Sequence, residues 1–102
     1  MKIILMRHGQ AEDETRPDSA RQLTDFGQQQ AKQTAEYISN HYHPDYFLVS
    51  PYVRAQQTLA ELQARLPNVP ASIQDNLTPS DEARQALNEI ADIEAECLVV
   101  VC

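Results

Sequence analysis

A chain of 102 residues has room for one small domain built around a single core. Hydrophobic residues make up 42% and charged residues 23%, which excludes the disordered and membrane-embedded classes. The formal net charge of −7 argues against a non-specific nucleic-acid binder, which needs an excess of Lys and Arg, so any bound anion must be held locally.

No run reaches the ~18 apolar residues of a membrane span, and the opening MKIILMRHG gives way to Arg7 and His8 before a signal-peptide core forms. The expectation is no membrane partner and a cytoplasmic location. Cys97 and Cys102 share one apolar run that, as a strand, holds them on opposite faces and about 16 Å apart, too far to pair. Neither a disulfide framework nor a cysteine metal site is expected.

Lys2 to Met6 is a β-branched-rich run that stops at Arg7-His8-Gly9, and it reads as a buried strand feeding a loop. Residues 10 to 22 are polar and read as that loop. Thr24 is a suitable N-cap for a helix that carries Ala31, Ala35 and Ile38 on one face to about Asn40. His41 to Pro44 is a break, and Tyr46 to Val49 reads as a second buried strand. Ser50-Pro51 makes a strand-to-helix turn, with Ser50 as cap and Pro51 at the first helical position. From Tyr52 to Leu66, the residues Ala55, Thr58, Leu59, Leu62 and Leu66 follow helical spacing, and Pro67 and Pro70 punctuate the end. A short strand is expected around Ile73, then a loop with Pro79 and a helix from about Asp81 with Leu87, Ile90 and Ile93 inward. Cys97 to Cys102 is a final apolar run. This β-α-β-α-β-α-β order predicts a single-domain α/β fold, a mostly parallel sheet with helices on both faces. A buried strand ordinarily delivers the chain to a further element, so the expectation is one domain over residues 1–102, cut short after its fourth strand and lacking C-terminal elements.

Ligands of open α/β sheets bind beyond the carboxyl ends of the strands. Two strand ends here carry unusual chemistry: the first delivers Arg7 and His8, the second Ser50-Pro51 with Arg54 in the following helical turn. Guanidinium forks neutralise phosphoryl oxygens, a helix N-terminus adds positive potential, and an imidazole supplies a nucleophile that divides one hydrolysis into two displacements. An arginine at a helix start opposes the dipole preference for acids, which a bound anion would account for.

Leu5-Met6-Arg7-His8-Gly9-Gln10 resembles the Arg-His-Gly signature of the histidine phosphatase superfamily, also called phosphoglycerate mutase-like. Leu23-Thr24 followed by Gly27, Gln30 and Ala31 resembles its next segment. Val49-Ser50-Pro51-Tyr52-Val53-Arg54-Ala55-Gln56-Gln57-Thr58 resembles its second signature, with a phosphate-binding arginine at Arg54. Arg-His-Gly alone is a weak signal, and the second motif at the right distance makes it a strong one. The stretch Ser19-Ala20-Arg21-Gln22-Leu23-Thr24 and the short loop before it are similar to the small SixA-type phosphohistidine phosphatases, where Arg21 matches a further phosphate-facing arginine.

The resemblance implies a phosphatase with His8 as nucleophile, Arg7 and Arg54 as catalytic partners, and Arg7, Arg21 and Arg54 binding the phosphoryl group. It implies no metal and no cofactor, because guanidinium groups supply the charge. The implied substrate is phosphohistidine on a signalling or phosphotransfer protein such as a histidine phosphotransfer domain, acted on by a monomer. Two departures stand out. Many members place a general-acid glutamate in a Leu-x-Glu context where this chain has Leu77-Thr78-Pro79-Ser80-Asp81, and the family's second active-site histidine would follow Cys102. Asp81 could substitute as the acid, but a phosphoramidate protonated on its leaving imidazole needs less acid help than an ester. The alternatives are a phosphatase for a small phosphate ester and a non-catalytic phosphate-binding module.

Other chemistry-bearing residues have ordinary readings. His41 and His43 lack a third metal ligand nearby and read as a polar turn. Glu12-Asp13-Glu14 reads as a solvated acidic run, and Arg16, Arg65 and Arg84 as surface charges. Ser50 lacks the Gly-x-Ser-x-Gly context of a nucleophile.

Overall fold

A computed structural model describes residues 2–13, 17–75 and 95–102. The strands are β1 (Lys2–Met6), β2 (Tyr46–Val49), β3 (Ala71–Ile73) and β4 (Cys97–Val101); the helices are α1 (Asp25–His41) and α2 (Val53–Arg65), with a 3-10 turn at Asp18–Ala20. The four strands form one sheet in the order β1-β4-β2-β3, and every pairing is parallel. Parallel neighbours require crossover connections, which α1 and α2 supply for β1 to β2 and β2 to β3. The sequence-predicted third helix and its residues Asp81, Leu87, Ile90 and Ile93, together with Arg16, Glu14 and Arg84, lie outside the described residues.

Period-two alternation sorts the strand side chains onto two faces. In register, Met6 and Val49 flank Val101 while Phe47 pairs with Val99. These residues are buried with Ala35 and Ile38 of α1 and Ala55, Leu59 and Leu62 of α2, which places both helices on that face. Leu48, Leu98 and Val100 form a second buried cluster on the opposite face. Central β4 is therefore buried along its whole length, the requirement that an unbroken apolar run meets. Strand β1, at the edge of the sheet among the described residues, departs from the expectation of a buried strand: Met6 is buried, but Ile3 and Leu5 point to the other face and are exposed. An edge strand has one neighbour, so its outer side chains lose the cover that β4 receives from both sides.

The start of β4 is fixed by Asp45, whose carboxylate accepts from the N–H groups of Glu96 and Cys97 at 3.0 and 3.1 Å. Those two bonds hold the carboxyl below its usual range. Thr24 caps α1 as expected, its hydroxyl oxygen accepting from Gly27 N–H at 2.9 Å. The start of α2 differs from the sequence reading. Tyr52, not Ser50, is its N-cap, and Pro51 precedes the helix; the buried Ser50 hydroxyl instead accepts from Tyr52 N–H at 3.3 Å.

The loop after β1 lies directly on the first turn of α1. Thr24 N–H donates to Gln10 O at 2.9 Å, Gln10 N–H donates to the Gln30 side chain at 2.8 Å, and Ala11 bridges Leu23. The contact is close enough that only glycines fit. A Cβ on Gly9 would collide with the Gly27 carbonyl, and a Cβ on Gly27 would collide with the Gln10 carbonyl. Both obstacles are backbone, which cannot rotate aside.

Gly27→Ala is thus expected to reverse the usual helix rule, under which alanine for glycine stabilises by ~1 kcal/mol, and to destabilise by about 1–3 kcal/mol through overpacking. Urea unfolding of the variant measures the sign, and a gain in stability would contradict the proposed contact.

Candidate active site

Because β4 lies between them, β1 and β2 end about 10 Å apart, two interstrand spacings. The carboxyl end of β4 fastens both exits. His8 N–H donates to Cys102 O at 2.9 Å, and Ser50 N–H donates to Val101 O at 2.9 Å. The remaining gap is closed by a side chain. Arg54, in the first turn of α2, reaches across and donates from Nε to His8 Nε2 at 3.1 Å.

Arg54 is buried, with only 6% of its surface exposed, and a guanidinium so withdrawn from water must have its donors satisfied. Its Nη1 donates to the Asp18 backbone oxygen at 2.6 Å and to Asp18 Oδ1 at 3.2 Å, and Nη2 donates to Oδ2 at 3.4 Å. The guanidinium also lies 4.8 Å from the Tyr52 ring centroid, within cation–π range. Thr58, one turn on and fully buried, donates to Arg54 O at 2.8 Å and accepts from Gly9 N–H at 3.4 Å. That hydroxyl links the two motifs through the backbone. The Gln57 side chain adds a second link by accepting from Leu23 N–H at 2.7 Å.

The contacts of His8 assign its tautomer. Nδ1 lies 2.7 Å from Gly9 O, which can only accept, so Nδ1 carries the proton. Nε2 faces the Nε–H of Arg54, which can only donate, so Nε2 carries the lone pair. Both partners demand the same arrangement, and it leaves a nucleophilic nitrogen pointing at the arginine.

Arg21 joins the cluster indirectly. Its Nε donates to Glu12 O at 2.8 Å and its Nη1 to Asp18 Oδ1 at 3.0 Å, so one carboxylate touches both guanidinium groups. The Arg21 hydrogen bond, with the hydrogen bond and charge of Arg54 adding to it, holds the Asp18 carboxyl below its usual range against an opposing desolvation effect. A carboxyl held ionised is a poor proton donor, so Asp18 is not suited to act as a general acid. Arg7 is exposed just after β1 and makes no hydrogen bond or ion pair to His8, Arg21 or Arg54 among the described residues. His41 stacks on Tyr37 and lies 2.8 Å from its carbonyl, a helix-end contact. Among the described residues no three His, Cys, Asp or Glu side chains converge as metal ligands would.

Sequence reasoning missed Asp18 and misread Thr58. Asp18 stands three residues before Arg21 in a polar loop, a spacing that marks a local ion pair, but its contact with Arg54 spans 36 residues and leaves no local trace. Thr58 fits the apolar stripe of α2, which conceals its polar role.

The tautomer is directly measurable. Long-range ¹⁵N–¹H NMR correlations of the neutral His8 imidazole are expected to show a protonated Nδ1 and an unprotonated Nε2. A dominant Nε2–H form would contradict the hydrogen-bond assignment.

Comparison with known proteins places this arrangement in context. The chain is 41% identical over 68 residues to a phosphohistidine phosphatase SixA homolog of Haemophilus influenzae, a match covering 61% of this chain and 42% of that one. It is 37% identical over 82 residues to phosphohistidine phosphatase SixA of Escherichia coli, covering 78% of this chain and 50% of the relative. The chain thus spans about half the length of these curated relatives or less. A solved structure of the protein histidine phosphatase SixA complexed with tungstate superposes with a TM-score of 0.87 at 30% identity, covering 99% of this chain and 68% of that one. The sequence profile of the histidine phosphatase superfamily, branch 1, matches residues 3–98, and the chain belongs to that superfamily.

Proposed function

We propose that residues 1–102 belong to a phosphatase domain that removes the phosphoryl group from phosphohistidine on a cytoplasmic signalling or phosphotransfer protein, such as a histidine phosphotransfer domain. The observation that carries the reading is the fixed tautomer of His8, with its Nε2 lone pair 3.1 Å from the buried guanidinium of Arg54. A nucleophile is thereby held beside a preorganised donor for the oxygens of the group it attacks.

In the first step Nε2 of His8 attacks phosphorus in line; the new N–P bond forms as the bond from phosphorus to the substrate imidazole breaks. Arg54 turns its donors from His8 and Asp18 to the equatorial oxygens, with Arg7 and Arg21 as further oxygen ligands. Water then attacks the phosphohistidine on His8, releasing phosphate and restoring the imidazole. The leaving imidazole needs less protonation than an alkoxide does, which suits a site where the carboxyl beside Arg54, that of Asp18, is held below its usual range. Similarity to proteins named phosphohistidine phosphatase supports the same substrate class, and tungstate, a tetrahedral oxyanion, is a fitting ligand for one of them.

The full chain is expected to dephosphorylate a phosphorylated histidine phosphotransfer protein in the presence of a chelator and far faster than it hydrolyses a sugar phosphate. His8→Ala should abolish turnover, and Arg54→Ala should raise the barrier by about 2–4 kcal/mol. Faster hydrolysis of the sugar phosphate would point to an ester phosphatase, and phosphate binding without turnover of either compound to a binding module.

A further inference from the structure

Among the described residues the Arg54 guanidinium donates four hydrogen bonds, and two of the four go to a carboxylate. Asp18 sets Oδ1 on Arg54 Nη1 and on Arg21 Nη1, and Oδ2 on Arg54 Nη2. Two anionic oxygens spanning two guanidinium groups is the pattern a phosphoryl group makes on the same donors. We propose that Asp18 is a specificity-determining residue that occupies the oxyanion's place on Arg54 and Arg21, and that it must be displaced before a phosphoryl group can bind.

The alternative role, holding Arg54 in position, is already filled by other groups. The guanidinium is retained by the Asp18 backbone oxygen at 2.6 Å, by His8 Nε2 at 3.1 Å and by the Tyr52 ring at 4.8 Å, and none of these depends on the carboxylate. The carboxylate's own distances to Arg54, 3.2 and 3.4 Å, are the longest of the guanidinium's four hydrogen bonds. Its side chain is about half exposed, whereas that of Arg54 is nearly buried, so Asp18 can swing toward solvent while Arg54 stays in place. The short 3-10 turn that carries Asp18 has no buried residue to anchor it.

This inference rests on the phosphatase reading and narrows its substrate class. A competing carboxylate weakens the hold on any small phosphate that brings only its oxygens, including the released product. A phosphorylated protein brings additional surface contacts, and these can offset the displacement of Asp18. Free phosphate is thereby released readily, and protein substrates are favoured over small ones.

Titration calorimetry with inorganic phosphate tests the idea on the full chain and on Asp18→Asn, Asp18→Ala and Glu36→Gln. The last removes the same charge from a pair with Arg65, about three helical turns from Arg54, and so controls for net charge. Losing a half-exposed ionic competitor should tighten phosphate binding by about 3- to 10-fold in both Asp18 variants, with Glu36→Gln unchanged. Equal or weaker binding by the Asp18 variants would overturn the proposal while leaving the phosphate site standing, weaker binding being the mark of a positioning residue. An equal gain in Glu36→Gln would overturn it in favour of a general charge effect. Absence of binding by all four proteins would overturn the phosphate-site reading itself, and this inference with it.

Discussion

A guanidinium taken out of water organises this molecule. Arg54 sits in the first turn of α2, where the helix dipole disfavours a cation, and it is almost fully buried there. Two unfavourable placements persist only if the surroundings satisfy the charge, and the surroundings that do so are drawn from three separate parts of the sequence. His8 comes from the end of β1, Asp18 from the loop that follows, and Tyr52 from the cap of α2 itself. The charge is paired with the carboxylate of Asp18. The same electrostatic demand is what would bind a phosphoryl group, so the affinity of the site and the packing of the loop have one physical origin.

The fold delivers those parts to one place by geometry rather than by strong local bonding. Inserting β4 between β1 and β2 separates the two motif-bearing strand ends by one strand, a gap suited to a long side chain, and its last carbonyls, Val101 and Cys102, hold both exits in register. The loop carrying His8 is pressed onto α1 at a point where two glycines face each other's backbone neighbourhood. Thr58 then joins the backbone of that loop to the backbone of Arg54. These contacts fix the backbone on either side of the pair, and the bond from Arg54 Nε then sets Nε2 of His8.

Much of this is legible in the sequence because it depends on local pattern. The boundaries of β1 and β2, the Thr24 cap and the buried stripe Ala55, Thr58, Leu59 and Leu62 follow from periodicity and capping rules. The misplaced start of α2 follows from a competing local bond: the Ser50 hydroxyl receives Tyr52 N–H and turns the chain one step before the helix begins. The exposure of Ile3 and Leu5 was hidden because an apolar run does not reveal whether its strand is central or at an edge. Asp18 was hidden for a deeper reason. A loop carboxylate has no period, and its pairing with Arg54 exists only once β1, α1 and α2 are assembled.

Attack by Nε2 of His8 on phosphorus leaves a covalent N–P bond that rapid-quench trapping can capture. A histidine phosphotransfer protein labelled with ³²P on its phosphohistidine would be mixed with the full chain, quenched in alkali to preserve phosphoramidates, and the labelled peptide mapped. Transient label is expected on the peptide containing His8, attached at Nε2, with the label disappearing as phosphate is released. Steady release of phosphate with no label ever on His8, or with label on another residue, would contradict attack by His8.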